Sequence, residues 1–191
     1  MKVGLFFGSF NPIHIGHMAM ANYFAEFTDL EKIWLVISPQ SPFKTKKNLL
    51  AEHHRYYMVQ LALEDDSQIS PMDIEFHLPK PSYTIDTLTY LSEKYPQHGF
   101  NLILGSDNLS YLHKWKNFHE LIRQYPIYVY PRPEVDPSEY TDCYEFKIVN
   151  APLIEISSSF IRNAIKSGKD VRYFVPEKVY KYLKEMHFYE N

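Results

Sequence analysis

Two hydrophobic patterns alternate along the chain, and this alternation is the strongest constraint on its fold. Apolar runs of strand length are separated by segments in which apolar residues recur at helical spacing. The strand-like runs are Lys2 to Phe7, Ile33 to Ser38, Phe100 to Leu104, Ile127 to Tyr130 and Phe146 to Val149, with a shorter run near Ile69 to Phe76 that suits a sheet edge. Nearly continuous apolar strands that alternate with helices are typical of a parallel sheet with helices on either side.

Helical patterns occupy the segments between these runs. The expected helices are His17 to Phe27, Glu52 to Leu63, a helix with Thr84 as N-cap that stops at Pro96, Trp115 to Arg123, Ser158 to Ser167 followed by Gly168 as the C′ residue, and a last helix opened by Pro176. The first is apolar nearly all round, so it should be buried. The polar segment Pro133 to Tyr144 is expected to be a surface loop.

This order of elements predicts an α/β fold. We expect a Rossmann-like, doubly wound parallel sheet with helices on both faces and a small C-terminal helical part. We expect a single domain that spans residues 1–191.

Composition narrows the class of protein. Of the 191 residues, 45% are hydrophobic and one is cysteine, which excludes disordered and disulfide-rich secreted classes. No apolar run approaches the ~20 residues of a transmembrane helix. The N-terminus lacks the apolar region of a signal peptide, so we expect a cytoplasmic protein. A formal net charge of −3 argues against a general nucleic-acid binder, so a polyanionic ligand must be bound locally.

The turn after the first strand, Gly8 to His17, is the most informative stretch. It leads from the carboxyl end of a strand into a helix, where free backbone amides favour an anion. His14 and His17 would share one face of that helix. The turn is neither a P-loop nor a dinucleotide fingerprint, since both glycine patterns are absent. The alternatives are a zinc pair, which lacks thiolates and a nearby third ligand, and two ordinary hydrogen-bonded histidines.

A second candidate anion site lies near the C-terminus. Ser157 and Ser158 place hydroxyl groups at a helix N-terminus, and Arg162 follows one turn along the same face. The alternative is a simple serine N-cap with a surface arginine. The agreement with the first turn favours phosphate binding.

These two stretches resemble the signatures of one superfamily. Gly8-Ser9-Phe10-Asn11-Pro12-x-His14-x-Gly16-His17 is similar to the H-x-G-H motif of nucleotidyltransferases, and the segment Ile156 to Arg162 is similar to their I-S-S-T-x-I-R motif, with serine for threonine. The resemblance implies a nucleoside triphosphate lying across the first turn. It implies that His14, His17 and Arg162 are catalytic. It implies ATP binding by Gly8, Ser9, Phe10, Lys44, Gly105, Asp107, Ile156, Ser157 and Ser158.

Other segments resemble bacterial nicotinate-nucleotide adenylyltransferases. Pro81 to Leu88 is similar to their S-Y-T-x-D-T-L segment, which implies that the amides of Tyr83 and Thr84 bind a nicotinate carboxylate. Trp115 is similar to a family tryptophan that stacks on the pyridine ring, although a core role is an equal alternative. Leu104 to Asn108 is similar to the family's G-A-D-N and implies ribose binding by Asp107.

Besides Ser159 in place of threonine and Ser106 in place of alanine, two further positions depart from the family pattern. Pro42-Phe43-Lys44 resembles P-H-K, but phenylalanine replaces histidine, so only Lys44 is carried over to triphosphate binding. Asn11 stands where bacterial members often have aspartate, which blurs the choice of acceptor.

The resemblance implies adenylyl transfer from ATP to nicotinate mononucleotide, giving deamido-NAD and pyrophosphate in NAD biosynthesis. It implies Mg²⁺ bound through the ATP phosphates and water, with no protein ligand named for the ion. The alternatives are nicotinamide mononucleotide or phosphopantetheine as acceptor, a non-catalytic nucleotide sensor, and an RNA-binding module that would need a basic face. We expect ATP and nicotinate mononucleotide as substrates, and neither nucleic acid nor membrane as a partner. A homo-oligomer is compatible with the sequence.

Overall fold

The predicted strands form one six-stranded sheet in the computed structural model, which describes residues 1–39, 49–64, 66–133, 135–140 and 145–190. The strands are β1 (Lys2–Gly8), β2 (Lys32–Ile37), β3 (Ile69–Met72), β4 (Gly99–Gly105), β5 (Ile127–Tyr130) and β6 (Phe146–Ile148). The helices are α1 (Ile15–Phe27), α2 (Glu52–Leu63), α3 (Thr84–Lys94), α4 (Leu109–Leu112), α5 (Phe118–Gln124), α6 (Ser158–Lys166) and α7 (Glu177–Glu185). Short 3₁₀ turns cover Ile74–Phe76, Ser106–Asn108 and Pro137–Tyr140.

The order of the strands fixes where a ligand can bind. The sheet runs β3-β2-β1-β4-β5-β6, and every neighbouring pair is parallel. The order reverses between β1 and β4, and in such sheets a crevice opens beyond the carboxyl ends of the strands at the reversal. Each helix that follows a strand begins at this edge, so its N-terminal amides face the crevice.

Alternate side chains of the strands feed two hydrophobic cores, one on each face of the sheet. In β5, Tyr128 and Tyr130 point to the core formed with α1, α2, α6 and α7, whereas Ile127 and Val129 point to the core formed with α3, α4 and α5. Helices therefore cover both faces of the sheet, as predicted.

One burial prediction is wrong in part. The first helix was expected to be buried, but Phe27 is 70% exposed because α1 lies against one face of the sheet and its outer side meets solvent. The run Phe146 to Val149 contributes β6, a short strand at the sheet edge with mostly exposed side chains.

Several helix ends differ from the predictions by one to three residues; for example, α1 begins at Ile15 instead of His17. The N-cap of α3 is Tyr83, with extended backbone, and Thr84 is the first helical residue. The helix predicted from Trp115 begins at Phe118, because Asn117 before it adopts a left-handed backbone with φ of 49°. Gly168, with φ of 68°, follows α6 as the predicted C′ residue.

None of the helices in the described part of the chain combines the length and apolar character that crossing a membrane requires.

Candidate functional site

The turn after β1 is built around a buried phenylalanine. The backbone of Phe10 has φ of 43°, and its ring is 1% exposed. A Cβ at Gly8 would lie 2.8 Å from the Cζ atom of that ring, so glycine is needed for the ring to fold beneath the turn. Of the residues predicted to bind ATP, Phe10 therefore has a side chain that is not exposed to a ligand in the crevice.

The two histidines of the turn cap α1 reciprocally. His14 is the N-cap, and its Nδ1 accepts a hydrogen bond from the His17 backbone amide at 3.3 Å. The Nδ1 of His17 accepts one from the His14 amide at 3.3 Å, and the rings stack with centroids 3.6 Å apart. A ring nitrogen that accepts a hydrogen bond carries no proton, so a neutral ring has its proton on Nε2. Both histidines are thereby fixed as Nε2–H donors.

His14 is neutral at physiological pH. Its burial, and secondarily the positive charge of Arg132, lower the pKa of its imidazole from 6.5 to about 4. The alternatives for this pair were a zinc site and two ordinary hydrogen-bonded histidines. The observed contacts include the ordinary hydrogen bonds, because each ring caps the helix. These contacts are made by the Nδ1 atom of each ring.

The lowered pKa of His14 predicts loss of stability in acid. The unfolded chain binds this proton below about 6.5 and the folded chain only below about 4, so stability is full above that interval and is lost as pH falls through it. The loss should reach about 3 kcal/mol, since one pKa unit is ~1.36 kcal/mol. Urea unfolding of the protein and of His14→Gln, from neutral pH to about pH 4, checks this: the gap in unfolding free energy should shrink with acid. The exposed control His77→Gln should alter the pH dependence little, and an unchanged gap for His14→Gln would contradict the assignment.

A buried arginine that sequence reasoning missed holds the loops around the turn. Arg55 in α2 is fully buried, and its guanidinium donates to the backbone carbonyls of Ser9 and Ser38, each at 2.7 Å. It also donates to the carbonyls of Leu50 at 2.9 Å and Pro39 at 3.0 Å. Burial lowers the pKa of this group. The sequence contained a signal for this burial: Arg55 stands four residues before Val59, on the apolar stripe of its helix, where a charged residue is unexpected.

The two predicted signatures meet in space. The Ser158 hydroxyl donates to the carbonyl of Pro12 at 2.9 Å, and the Arg162 guanidinium donates to the carbonyl of Asn11 at 2.8 Å. Ser157 is the N-cap of α6, and its hydroxyl accepts from the amide of Phe160 at 3.2 Å. The start of α6 is therefore joined to the turn after β1, which brings its N-terminal amides toward the histidines.

Arg132 is a second site residue that sequence reasoning missed. It follows β5 at the carboxyl edge and, with His14, His17 and Ile156, lines a small cavity. Its guanidinium donates to the Tyr130 hydroxyl at 3.1 Å. Its buried Nε has no hydrogen-bond partner among the described residues. A buried N–H without a partner, beside two Nε2–H donors, suits an anionic ligand.

Asp107 follows β4 on the other side of the crevice. A Cβ at Gly105 would lie 2.3 Å from an oxygen of the Asp107 carboxylate, so the glycine makes room for that side chain to turn back. The carboxylate is about half exposed and lies 3.9 Å from the Arg132 Nε. It is therefore accessible to ligand hydroxyl groups.

The predicted acceptor segment is anchored by a buried carboxyl group. Glu75, 2% exposed, accepts hydrogen bonds from the hydroxyls of Ser82 at 3.2 Å and Thr87 at 2.8 Å, and Ser38 also hydrogen-bonds to it. Burial raises the pKa of Glu75. This residue, which the sequence did not single out, connects the start of α3 to the loop after β2. The amides of Tyr83 and Thr84 are thereby held at the helix N-terminus.

Trp115 and Tyr83 pack on the rim of the same hydrophobic core. Trp115 lies in the turn before α5 and is half-buried, and its indole Nε1 has no hydrogen-bond partner in the described part of the chain. Lys116 lies 4.9 Å from the centre of the Tyr83 ring. Tyr83 and Trp115 therefore lie on the same side of the sheet. Trp115 also packs partly against the hydrophobic core, as the alternative role for this residue predicted.

One predicted ATP ligand cannot be placed. Lys44, together with Pro42 and Phe43, falls outside the described residues. Within the ranges that are described, no group of three or more His, Cys, Asp or Glu side chains is arranged to hold a metal ion.

Comparisons with known proteins show which families and structures the chain resembles. Residues 5–164 match the family described as cytidylyltransferase-like. Two relatives named probable nicotinate-nucleotide adenylyltransferase are similar over the full length of both chains: that of Flavobacterium johnsoniae is 50% identical and that of Cytophaga hutchinsonii is 49% identical. Among solved structures, Plasmodium falciparum nicotinic acid mononucleotide adenylyltransferase complexed with NaAD superposes with a TM-score of 0.84 at 23% identity, covering 98% of this chain and 97% of that one. This superposition confirms the predicted α/β fold.

Proposed function

Since the chain belongs to the cytidylyltransferase-like family, we infer that it catalyses adenylyl transfer from ATP to nicotinate mononucleotide. The products are deamido-NAD and pyrophosphate, and the reaction belongs to NAD biosynthesis. Full-length relatives that share about half of its residues are named for this activity. The observation that carries the chemistry is the stacked histidine pair, whose neutral rings are both fixed as donors at the carboxyl edge of the sheet.

The reaction is an in-line displacement at phosphorus. An oxygen of the acceptor's 5′-phosphate attacks the α-phosphorus of ATP, one P–O bond forms, and the bond to pyrophosphate breaks on the opposite side. No covalent enzyme intermediate is required. Catalysis therefore depends on positioning the two substrates and on stabilising the charge that builds on the α-phosphate and the leaving group.

We assign the ATP phosphates to the crevice above β1. His14 and His17 donate from Nε2 to phosphate oxygens, and Arg132 adds a cation beside them. Arg162 and the amides at the start of α6 face the leaving pyrophosphate. The remaining proposed ATP contacts are the backbone of Gly8, Ser9 and Phe10, the segment Ile156, Ser157 and Ser158, Lys44, and, for the ribose hydroxyls, Gly105 with Asp107.

We assign the acceptor to the start of α3. The amides of Tyr83 and Thr84 at this helix N-terminus suit the carboxylate of a nicotinate group, because the helix dipole favours negative charge there. A neutral carboxamide would gain less from the same contact. The half-buried indole of Trp115 on the same core rim provides a surface against which the pyridine ring can stack.

A divalent cation, Mg²⁺ in our proposal, accompanies the triphosphate. Among the described residues that line the cavity, three carry side-chain nitrogen donors, His14, His17 and Arg132, and these donors suit phosphate oxygens. An ion held through the ATP phosphates and water fits this donor set, since Mg²⁺ keeps several waters and takes few protein ligands. When bound, it would neutralise charge on the phosphate oxygens.

We also propose that residues 1–191 act as one domain, because a single sheet joins the first strand to the last. We propose a cytoplasmic enzyme because ATP is its substrate. The homo-oligomer and the lack of nucleic-acid partners stay predictions.

The test is pyrophosphate release with ATP and each of three acceptors: nicotinate mononucleotide, its amide, and phosphopantetheine. We expect kcat/KM for the nicotinate compound to exceed that for the amide by about tenfold or more, because a charge-assisted hydrogen bond gains at least ~1.4 kcal/mol over a neutral one. A ratio near or below one would reassign the acceptor and leave adenylyl transfer standing. Tight ATP binding without turnover on any acceptor would instead support the nucleotide sensor.

A further inference from the structure

The chain end returns to the turn after β1. Beyond α7, Tyr189 adopts a left-handed backbone with φ of 62°, and its hydroxyl donates to the side-chain oxygen of Asn11 at 2.6 Å. Asn11 is 4% exposed and lies in the turn between β1 and His14. A residue close to the end of the chain therefore contacts the candidate phosphate-binding turn directly.

Asn11 is a junction of four segments. Its side-chain oxygen accepts from the Tyr189 hydroxyl and from the backbone amide of Leu50 at 3.2 Å. Its backbone carbonyl accepts from the guanidinium of Arg162 at 2.8 Å. The Tyr189 hydroxyl and the Leu50 amide both donate to the side-chain oxygen of Asn11. These two hydrogen bonds therefore fix the orientation of the Asn11 side-chain amide. Loss of one donor weakens that orientation.

The surroundings of Tyr189 keep its phenol hydroxyl protonated, so that it can donate a hydrogen bond. Burial raises the pKa of its phenol, although the nearby charges of Arg162 and Arg55 act in the opposite direction. The hydroxyl is therefore protonated at neutral pH and can hold the Asn11 oxygen throughout the range in which the enzyme would work.

We infer that Tyr189 is a positioning residue for adenylyl transfer, acting through Asn11 to hold the phosphate-binding turn and Arg162 in register. This inference rests on the proposed function. A small displacement of such a turn is costly, because a misplacement of about 1 Å far from the chemistry can lower rate by ~10²-fold.

Contacts elsewhere anchor the last helix independently of this hydroxyl. The Tyr182 hydroxyl in α7 lies 2.8 Å from the Nδ1 of His54 in α2, and Lys178 pairs with Glu64 at 2.9 Å. Beyond α7, the ring of Phe188 packs edge-on against His54 with centroids 4.8 Å apart. Removal of the Tyr189 hydroxyl should therefore leave the segment docked.

Tyr182→Phe is thus a matched control for Tyr189→Phe. Each change deletes one phenol hydroxyl from the C-terminal segment and keeps the ring, but only one of them touches the turn. We expect Tyr189→Phe to lower kcat/KM for ATP by about tenfold, with KM for nicotinate mononucleotide changed by less than about twofold. We expect Tyr182→Phe to leave both within about twofold, with a similar effect on the unfolding midpoint.

A double-mutant cycle separates positioning from stability. In an Asn11→Ala background, Tyr189→Phe should cause little further loss, because its effect passes through the Asn11 oxygen. Equal kinetics for Tyr189→Phe and Tyr182→Phe, or fully additive losses in the cycle, would overturn the inference.

The same variants remain informative if the proposed reaction is wrong. Absence of pyrophosphate release by the unmodified protein would reject the proposed function. The affinity for a non-hydrolysable ATP analogue, measured by calorimetry, would then test Tyr189 by itself: a roughly tenfold weaker Kd for Tyr189→Phe than for Tyr182→Phe supports its role, and equal affinities reject it.

Discussion

Replacing His17 by alanine should lower kcat by about 10²-fold or more, the usual cost of losing one donor to developing charge. The ring is held by its stacking on His14 and by the bond that its Nδ1 accepts, so its Nε2 proton has a fixed direction. That orientation exists before substrate binds. Steady-state pyrophosphate release with saturating ATP and nicotinate mononucleotide measures the effect.

Two further substitutions distinguish the loss of the Nε2–H donor from the loss of the helix-capping hydrogen bond. In His17→Asn, the amide oxygen can still accept the backbone hydrogen bond but no group reaches the Nε2 position, so turnover should fall as far as in the alanine variant. In His17→Gln, the longer side chain can place an N–H near the Nε2 position, and the loss should be smaller. The exposed His77→Ala is the control and should keep normal turnover. A folded His17→Asn protein with near-normal kcat would show that Nε2 has no catalytic role.

Replacing Arg55 by methionine should lower the free energy of unfolding by about 3 kcal/mol or more, because buried carbonyl oxygens lose their donors at ~1–3 kcal/mol each. Four backbone carbonyls depend on this one guanidinium. Urea unfolding at neutral pH measures the change. Arg123→Met is the control: its side chain is 71% exposed and pairs with Glu120, so its loss should be within about 0.5 kcal/mol. Equal stability of the two variants would show that water replaces the guanidinium without cost.

The fold was predictable because its determinants are local. Apolar runs of strand length, proline stops and the C′ glycine at Gly168 act within a few residues of where they stand. The boundaries that moved depend on backbone geometry that composition does not record, such as the left-handed Asn117 that delays α5. The exposure of Phe27 depends on which side of α1 meets the sheet, which only packing decides.

The candidate site was likewise predictable only where its residues stand in a continuous motif. His14 and His17 could be proposed from the sequence because they stand in one continuous motif, whereas Arg132 lines the same cavity only because β5 lies next to β4 and its end reaches the same edge. Glu75 and Arg55 stabilise the site through hydrogen bonds between segments distant in sequence. Buried charges of this kind look like ordinary surface residues until the tertiary contacts are known. The assigned roles of all these residues await the experiments above.

The reciprocal histidine cap also bears on how the enzyme would finish its cycle. Pyrophosphate carries several negative charges, and a site that held it with imidazolium rings would retain it by strong electrostatic attraction. His14, kept uncharged by burial, offers a hydrogen bond without that attraction. In the proposed site, His14 would therefore add a hydrogen bond to the leaving pyrophosphate without adding charge, so the product would be retained less strongly than by a charged ring at this position and would leave more readily before the next ATP binds.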